Sequence, residues 1–129
     1  MNFIRNFQLI SEKISTPIRE IDFKFVSSIR YYIDYNKHYD EVSFLEVGYV
    51  LEPALEKQRY QVLLGFSEVT LLNLSGFGGS FNQLVGFKIN DMKDRNWEAN
   101  QRYHVHDYEN DVMSFYCKTI EVLSIKTIS

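Results

Sequence analysis

The sequence has a single cysteine, no long apolar run and no marked excess of either charge. Cys117 alone cannot form an intramolecular disulfide, which favours a reducing compartment. Charges interrupt every apolar stretch before it reaches the ~20 residues that cross a bilayer, and residues 1–6 lack the apolar core of a signal peptide. These absences predict a cytoplasmic protein that is not an integral membrane protein.

The charge balance also excludes a class of partner. Fourteen Lys and Arg residues against seventeen Asp and Glu give a formal net charge of -3, which is too weak for an electrostatic nucleic-acid binder unless the charge is strongly segregated. The chain is 45% apolar and 24% charged, a globular mix that rules out a disordered tail or a low-complexity linker. Without a repeat or linker, residues 1–129 are expected to form a single domain.

What the chain has in abundance is aromatic residues, which make up 16% of it. Rings and β-branched side chains pack well on pleated sheets, so we predict a mainly β protein. Four apolar residues near the start recur at helical spacing: Phe3, Phe7, Ile10 and Ile14. This spacing predicts a short N-terminal helix, although residues 3–10 are also compatible with an edge strand.

Apolar residues at every second position predict strands in the rest of the chain. The expected core-facing sets are Ile29, Tyr31, Ile33 and Tyr35; Leu45, Val47, Tyr49 and Leu51; Tyr60, Val62, Leu64 and Phe66; and Val85, Phe87 and Ile89. After Phe66 the alternation shifts to Val69 and Leu71, which predicts a bulge or tight turn near Ser67 or Glu68. We expect an antiparallel sheet, sandwich-like or a strongly curled meander, covered by the helix, a second sheet or its own curl.

The last hairpin has the best-defined register. A turn at Glu109–Asp111 sets Val105 opposite Phe115 and Tyr103 opposite Cys117 on the apolar side. The opposite face then carries a stripe of rings and donors: Arg102, His104, His106, Tyr108, Tyr116 and Lys118. Such a mix is enriched at protein interfaces, so we predict a partner-binding face, although an ordinary solvent-facing sheet has the same pattern.

Two histidines on one strand face also suggest a metal site. His104 and His106 point the same way, with Asp107 or Glu109 nearby, and a third ligand would have to be His38 or a distant carboxylate. The pattern is incomplete, since the cupin motif that also begins with His-x-His needs a later glycine and none follows Gly86. A small metal- or ligand-binding domain centred on this pair is therefore the alternative, and we assign no metal ligand or cofactor.

Catalytic signatures are incomplete as well. The glycines around Gly78 lack the Lys and Ser or Thr of a phosphate-binding loop, and are expected to be structural. Cys117 should point inward and His104 outward, so they should not form a nucleophile and base pair. We therefore predict a non-catalytic protein. An acidic turn at 107–111 could face a basic partner or be a polar loop, and a homodimer through an uncovered strand edge is a further expectation.

One stretch of the chain resembles a known group of proteins. The residues that carry the resemblance are Gln83–Asp91, Trp97, Glu98, Arg102–Asp111 and Phe115–Cys117. They are similar to small β-rich proteins of Bacillus-type bacteria, some of which are encoded beside polymorphic toxins and regarded as immunity proteins. The resemblance covers roughly the C-terminal third to half of the chain and implies a protein that binds and blocks a toxin domain. It assigns no functional residue.

Overall fold

The fold is known from a computed structural model, which describes residues 1–79, 82–93 and 101–128. Trp97 and Glu98 of the resemblance lie outside these ranges. The elements in chain order are helix α1 (Gln8–Lys13), a 3₁₀ turn (Glu20–Asp22) and strands β1 (Phe23–Tyr35), β2 (Glu41–Leu51), β3 (Tyr60–Ser67), β4 (Thr70–Leu74), β5 (Asn82–Gln83), β6 (Phe87–Asp91), β7 (Tyr103–Asp107), β8 (Met113–Cys117) and β9 (Thr119–Thr127). The prediction of a mainly antiparallel β protein with a short N-terminal helix is confirmed.

Two antiparallel sheets face each other across the core. The first has the strand order β5-β1-β2-β3-β9 and the second β4-β8-β7-β6. Aromatic contacts join their inner faces, since the ring of Phe87 lies 4.6 Å from Phe23 and 5.1 Å from Tyr49, and Phe66 lies 4.8 Å from Phe115. Of the three coverings that the sequence left open, the second sheet covers the inner face of the first, and α1 adds Ile10 and Ile14 to the same core.

The N-terminal segment packs against β9. Ile10 and Ile14 are buried, as the helical spacing predicts, while Phe3 and Phe7 precede the helix and are only partly buried. Arg5 forms an isolated parallel bridge with Glu121. Neither helical segment among the described residues has the length and apolar character that crossing a bilayer requires.

The predicted inner faces of β2 and β3 are confirmed. All eight residues are buried: Leu45, Val47, Tyr49, Leu51, Tyr60, Val62, Leu64 and Phe66. The predicted turn after Ser67 is present, with Glu68 at a φ of 53° and Val69 buried. The expectation for Leu71 is wrong, because it is 70% exposed. Its φ of 54° and the register shift between Thr70 and Asn73 turn its side chain away from the core.

The largest correction concerns β1, which begins at Phe23 and not at Ile29. Tyr31, Ile33 and Tyr35 were expected in the core but are 52%, 55% and 60% exposed. Tyr31 pairs with the buried Leu45 and so points to the inner side of the sheet, as predicted. The second sheet does not reach this far, because β1 has 13 residues whereas β6, β7 and β8 have 5 each. We call residues 30–44 the β1–β2 arm.

Candidate functional site

The β7–β8 hairpin forms in the predicted register. Val105 pairs with Phe115 and Tyr103 with Cys117, and all four side chains are buried. β7 ends at Asp107 and β8 begins at Met113. The connection therefore spans residues 108–112, one residue longer at each side than the predicted turn 109–111. Because successive side chains alternate, the histidines of β7 lie on the outer face of the second sheet.

Three rings are stacked on this outer face. The imidazoles of His104 and His106 are nearly parallel, with centroids 4.1 Å apart and planes at 5°. Tyr116 stacks on the other side of His104 at 4.4 Å and 11°. Tyr108 meets His106 edge-on at 6.5 Å. We call Tyr116, His104 and His106 the ring stack.

Hydrogen bonds hold the two imidazoles in place. His104 Nε2 lies 3.1 Å from Ser114 Oγ, and His106 Nε2 lies 3.1 Å from Asn90 Nδ2. Partial burial lowers the pKa of both histidines, and the neighbouring His106 lowers that of His104 further, as Lys88 does for His106. Both imidazoles are therefore mainly neutral at neutral pH.

This geometry does not favour a metal ion. The lone pairs of an imidazole lie in the ring plane, so those of two parallel stacked rings do not converge on one ion. His38 lies in the turn of the β1–β2 arm and not on this face. In the described ranges no three His, Cys, Asp or Glu side chains are grouped to bind a metal. The arrangement is a polar aromatic surface.

A cleft of about 370 Å³ opens beside the ring stack, and we call it the sheet cleft. Ile21, Val85 and Tyr108 line it and are 56%, 42% and 59% exposed. Val85 was expected in the core, and that expectation is wrong. Leu84 is buried in its place, because its N–H donates to the Lys24 carbonyl and the strand alternation resumes only at Phe87.

Gly86 allows Tyr108 to form one wall of the cleft. A Cβ atom at Gly86 would lie 3.0 Å from Tyr108 Cδ1, closer than side chains normally approach. The Tyr108 N–H also donates to the Gly86 carbonyl at 2.9 Å. The ring of Tyr108 can therefore lie over the backbone only because residue 86 has no side chain.

Asp107 organises the turn next to the cleft and is not a surface charge. Its side chain is buried, and Oδ1 accepts from the N–H groups of Gly86, Glu109 and Asn110 at 2.8, 3.2 and 3.4 Å. The hypothesis that Asp107 faces a basic partner is therefore wrong. Asp111 is exposed, with a φ of 58°. Its charge remains available at the end of the turn.

The other two predicted site residues lie at a second, smaller cleft that includes Arg5. Arg102 donates twice to the Asp91 carboxylate, at 2.8 and 3.2 Å, which lowers the pKa of Asp91. Lys118 lies at the crossing from β8 to β9 and pairs with Glu68 at 3.4 Å. The structure thus brings together His104, His106, Tyr108 and Tyr116, and engages Arg102 and Lys118 elsewhere.

The four strands of the second sheet lie within the part of the chain that a protein-family model matches. The family model described as Immunity protein PIM8 matches residues 10–122, from α1 to β9. The chain belongs to this immunity protein family. No curated protein and no solved structure matched it. The resemblance inferred from the C-terminal half of the sequence is confirmed, and the match extends it across both sheets.

The one cysteine of the chain is a core residue. Cys117 is fully buried on the opposite face of the hairpin from His104, as the alternation predicts. Burial raises the pKa of its thiol strongly, so the reactive thiolate does not form at neutral pH. His104 is therefore not its base.

Lys88 and Ile21 are among the sheet-cleft residues that the sequence patterns did not identify. Lys88 pairs with His106 across β6 and β7 and could have been found from the alternation between Phe87 and Ile89. Ile21 had no such signal, because it lies in the 3₁₀ turn, far from the cleft residues in sequence. Only the packing of that turn against β6 brings it to the site, with Ile89 N–H donating to Glu20 Oε2 at 2.6 Å.

Proposed function

We propose that this protein is a cytoplasmic immunity protein that binds a toxin domain and blocks it by occlusion, without catalysing a reaction. The observation that carries the proposal is the immunity family match over residues 10–122. Occlusion requires a surface that is uncovered in the free protein, and a surface that is already ordered binds at a lower entropic cost.

We place the contact on the outer face of the second sheet. The ring stack there is ordered by its own contacts and by hydrogen bonds to Asn90 and Ser114. Rigid rings lose little conformational entropy when a partner covers them. The lowered histidine pKa values keep the surface largely uncharged at neutral pH, which reduces the cost of removing water from it.

The sheet cleft provides an anchor beside the stack. Ile21, Val85 and Tyr108 offer apolar surface around a concave site, and Tyr is among the residues that most often contribute binding energy at interface centres. A partner side chain inserted here would contact His106 of the ring stack and Lys88, which both line the cleft. Arg102 and Lys118 lie outside this centre, where charges affect association rate more than affinity.

The test uses the product of the gene adjacent to this one, purified as its predicted toxin domain. Titration calorimetry should show a stable complex, and Tyr108→Ala and His106→Ala should each weaken binding by about tenfold or more. The control is Tyr39→Ala, which removes an exposed tyrosine from the turn of the β1–β2 arm. It should leave affinity within about threefold of the original protein.

Two results would count against the proposal. Absence of binding to the neighbouring product would remove the immunity assignment for this gene pair. Weakening by Tyr39→Ala together with unchanged binding by Tyr108→Ala and His106→Ala would move the contact from the second sheet to the arm.

A further inference from the structure

Within residues 1–79, 82–93 and 101–128, the edge of the first sheet is open along the β1–β2 arm. On that side of β1, strand β5 pairs only with Phe25 and Val26. Among the described residues, no strand pairs with this edge from Ile29 to Tyr35. An open edge of this length is a template for pairing with another strand, and natural proteins usually blunt or cover it.

Side chains on the outer face of the arm make contacts within the chain, whereas apolar side chains on its inner face are exposed. On the outer face Tyr32 stacks on Phe44 at 5.4 Å, donates to Glu46 at 2.9 Å and lies under the Arg30 guanidinium at 4.3 Å. On the inner face Ile33 is 55% exposed. The arm therefore presents an open backbone edge together with uncovered apolar side chains.

The sequence along this edge is complementary to itself. If two copies of β1 pair antiparallel with Tyr32 opposite Tyr32, Arg30 of each copy faces Asp34 of the other. The same register sets Tyr31 opposite Ile33 and Ile29 opposite Tyr35. Opposite charges and apolar pairs directly across two strands both stabilise a sheet.

The charges select this register over its neighbours. Centring the pair on Ile33 would set Arg30 opposite Asn36, and centring it on Tyr31 would set Asp34 opposite Ser28. Both alternatives lose the two symmetry-related ion pairs. Pairing of residues 29–35 also leaves the existing bridges of β5 to Phe25 and Val26 intact.

Both charged groups are accessible for such a contact. The Arg30 side chain is 67% exposed, and its ion pair with Glu46 is long at 3.5 Å. Asp34 accepts a local hydrogen bond from the Tyr35 N–H, and no ion pair of Asp34 occurs within the described residues. A second copy would give Asp34 a cationic partner.

We propose that this protein forms a two-fold symmetric homodimer in which the β1 strands pair antiparallel about Tyr32 and join the two first sheets into one. A two-fold interface uses the same patch on both copies, which is what a self-complementary strand provides. The outer face of the second sheet stays open in each copy. The proposal therefore does not depend on toxin binding.

Charge reversal tests the register. Sedimentation velocity over a range of concentrations should show a dimer, and Asp34→Arg should weaken dimerisation at least tenfold, because like charges would then face each other twice. The exchange Arg30→Asp with Asp34→Arg should restore dimerisation to within about threefold of the original. Glu46→Gln is the control, since it removes the intrachain partner of Arg30 and keeps both edge charges.

Crosslinking gives a second readout that does not depend on the charges. Residue 32 faces itself across the two-fold axis, so Tyr32→Cys should form a disulfide-linked dimer on mild oxidation. Tyr35→Cys should not, because residue 35 faces residue 29 of the other copy. Circular dichroism of each variant shows that it remains folded.

Three results would overturn the proposal. The first is a monomer at all concentrations. The second is a dimer in which charge exchange fails to rescue Asp34→Arg, or in which Tyr35→Cys crosslinks in preference to Tyr32→Cys. The third is a monomer whose toxin affinity falls with Asp34→Arg, which would assign the open edge to the toxin.

Discussion

The β1–β2 arm and the β7–β8 hairpin have the same alternating sequence pattern but differ in the burial of their apolar side chains. Each alternates apolar and polar residues, and in each the apolar set points to the inner side of its sheet. Val105 and Phe115 of the β7–β8 hairpin are fully buried, whereas Ile33 of the arm is 55% exposed. Orientation is the same in both, so what differs is the presence of an opposing sheet.

The two turns are also built alike. In the arm, Asn36 Oδ1 accepts from the N–H groups of His38 and Asp40, and Tyr39 has a φ of 63°. In the other hairpin, Asp107 Oδ1 accepts from backbone N–H groups and Asp111 has a φ of 58°. Asn and Asp suit turns because their side chains bond to nearby backbone. Turn chemistry therefore does not explain the different burial.

Strand length does explain it. At ~3.3 Å per residue, the 13 residues of β1 extend about 43 Å, whereas the 5 residues of β7 extend about 17 Å. A long strand opposed by a short one must overhang. The comparison teaches that alternation tells which way a side chain points and not what it meets there.

The largest expected effect is a difference in unfolding free energy between variants of two tyrosines on the inner sides of these hairpins. Tyr103 is buried and stacks on Phe3 at 5.1 Å, whereas Tyr31 is 52% exposed. Tyr103→Ala should lower the free energy of unfolding by about 3 kcal/mol, and Tyr31→Ala by less than about 1 kcal/mol. Urea unfolding at low micromolar protein measures both. Equal losses would mean that the arm is covered in solution.

A smaller difference in stability is expected between variants of the two turns. Asp107→Ala removes a buried acceptor of three backbone N–H groups and should cost about 2 kcal/mol. Asn36→Ala removes an acceptor that is partly exposed, so water replaces it and the cost should stay below about 1 kcal/mol. Thermal unfolding of both variants checks the order. A larger loss for Asn36→Ala would contradict the structural role assigned to Asp107.

The smallest effect is a pH dependence confined to the β7–β8 hairpin. The folded pKa values of His104 and His106 are lowered, so as pH falls below about 6.5 the unfolded chain binds protons first and stability decreases. Replacing both with Gln should flatten the loss of stability between about pH 6.5 and 5. Urea unfolding across this range measures the slope, and parallel curves for the two proteins would show that the stack does not titrate as described.

The sequence predicted well wherever a pattern repeats within a strand and has a buried partner. The register of Val105 with Phe115 followed from matching two apolar faces, and the buried set of β2 followed from strict alternation. Prediction of burial failed where no opposing sheet covers the strand, as in the arm, and where the backbone departs from regular strand geometry. Leu71 has a left-handed φ, and Val85 precedes the point at which β6 begins, so alternation did not apply to either.

For the candidate site, the sequence predicted the direction of the side chains but not the contacts that they make. The outward direction of His104 and His106 follows from alternation, but their stacking with Tyr116 depends on how closely β7 and β8 pair. The sheet cleft depends on Ile21, which reaches the second sheet only through the 3₁₀ turn. No local pattern in the sequence contains that contact.

By itself the sequence determined the β class, the direction of most strand side chains and the pairing of the last hairpin, because a two-residue period is a property of neighbouring residues. Only the tertiary structure decided which of those side chains are covered. Coverage depends on the lengths of strands far apart in the chain and on where the chain crosses from one sheet to the other. For this reason Tyr31 and Tyr103, alike in pattern, lie in different surroundings.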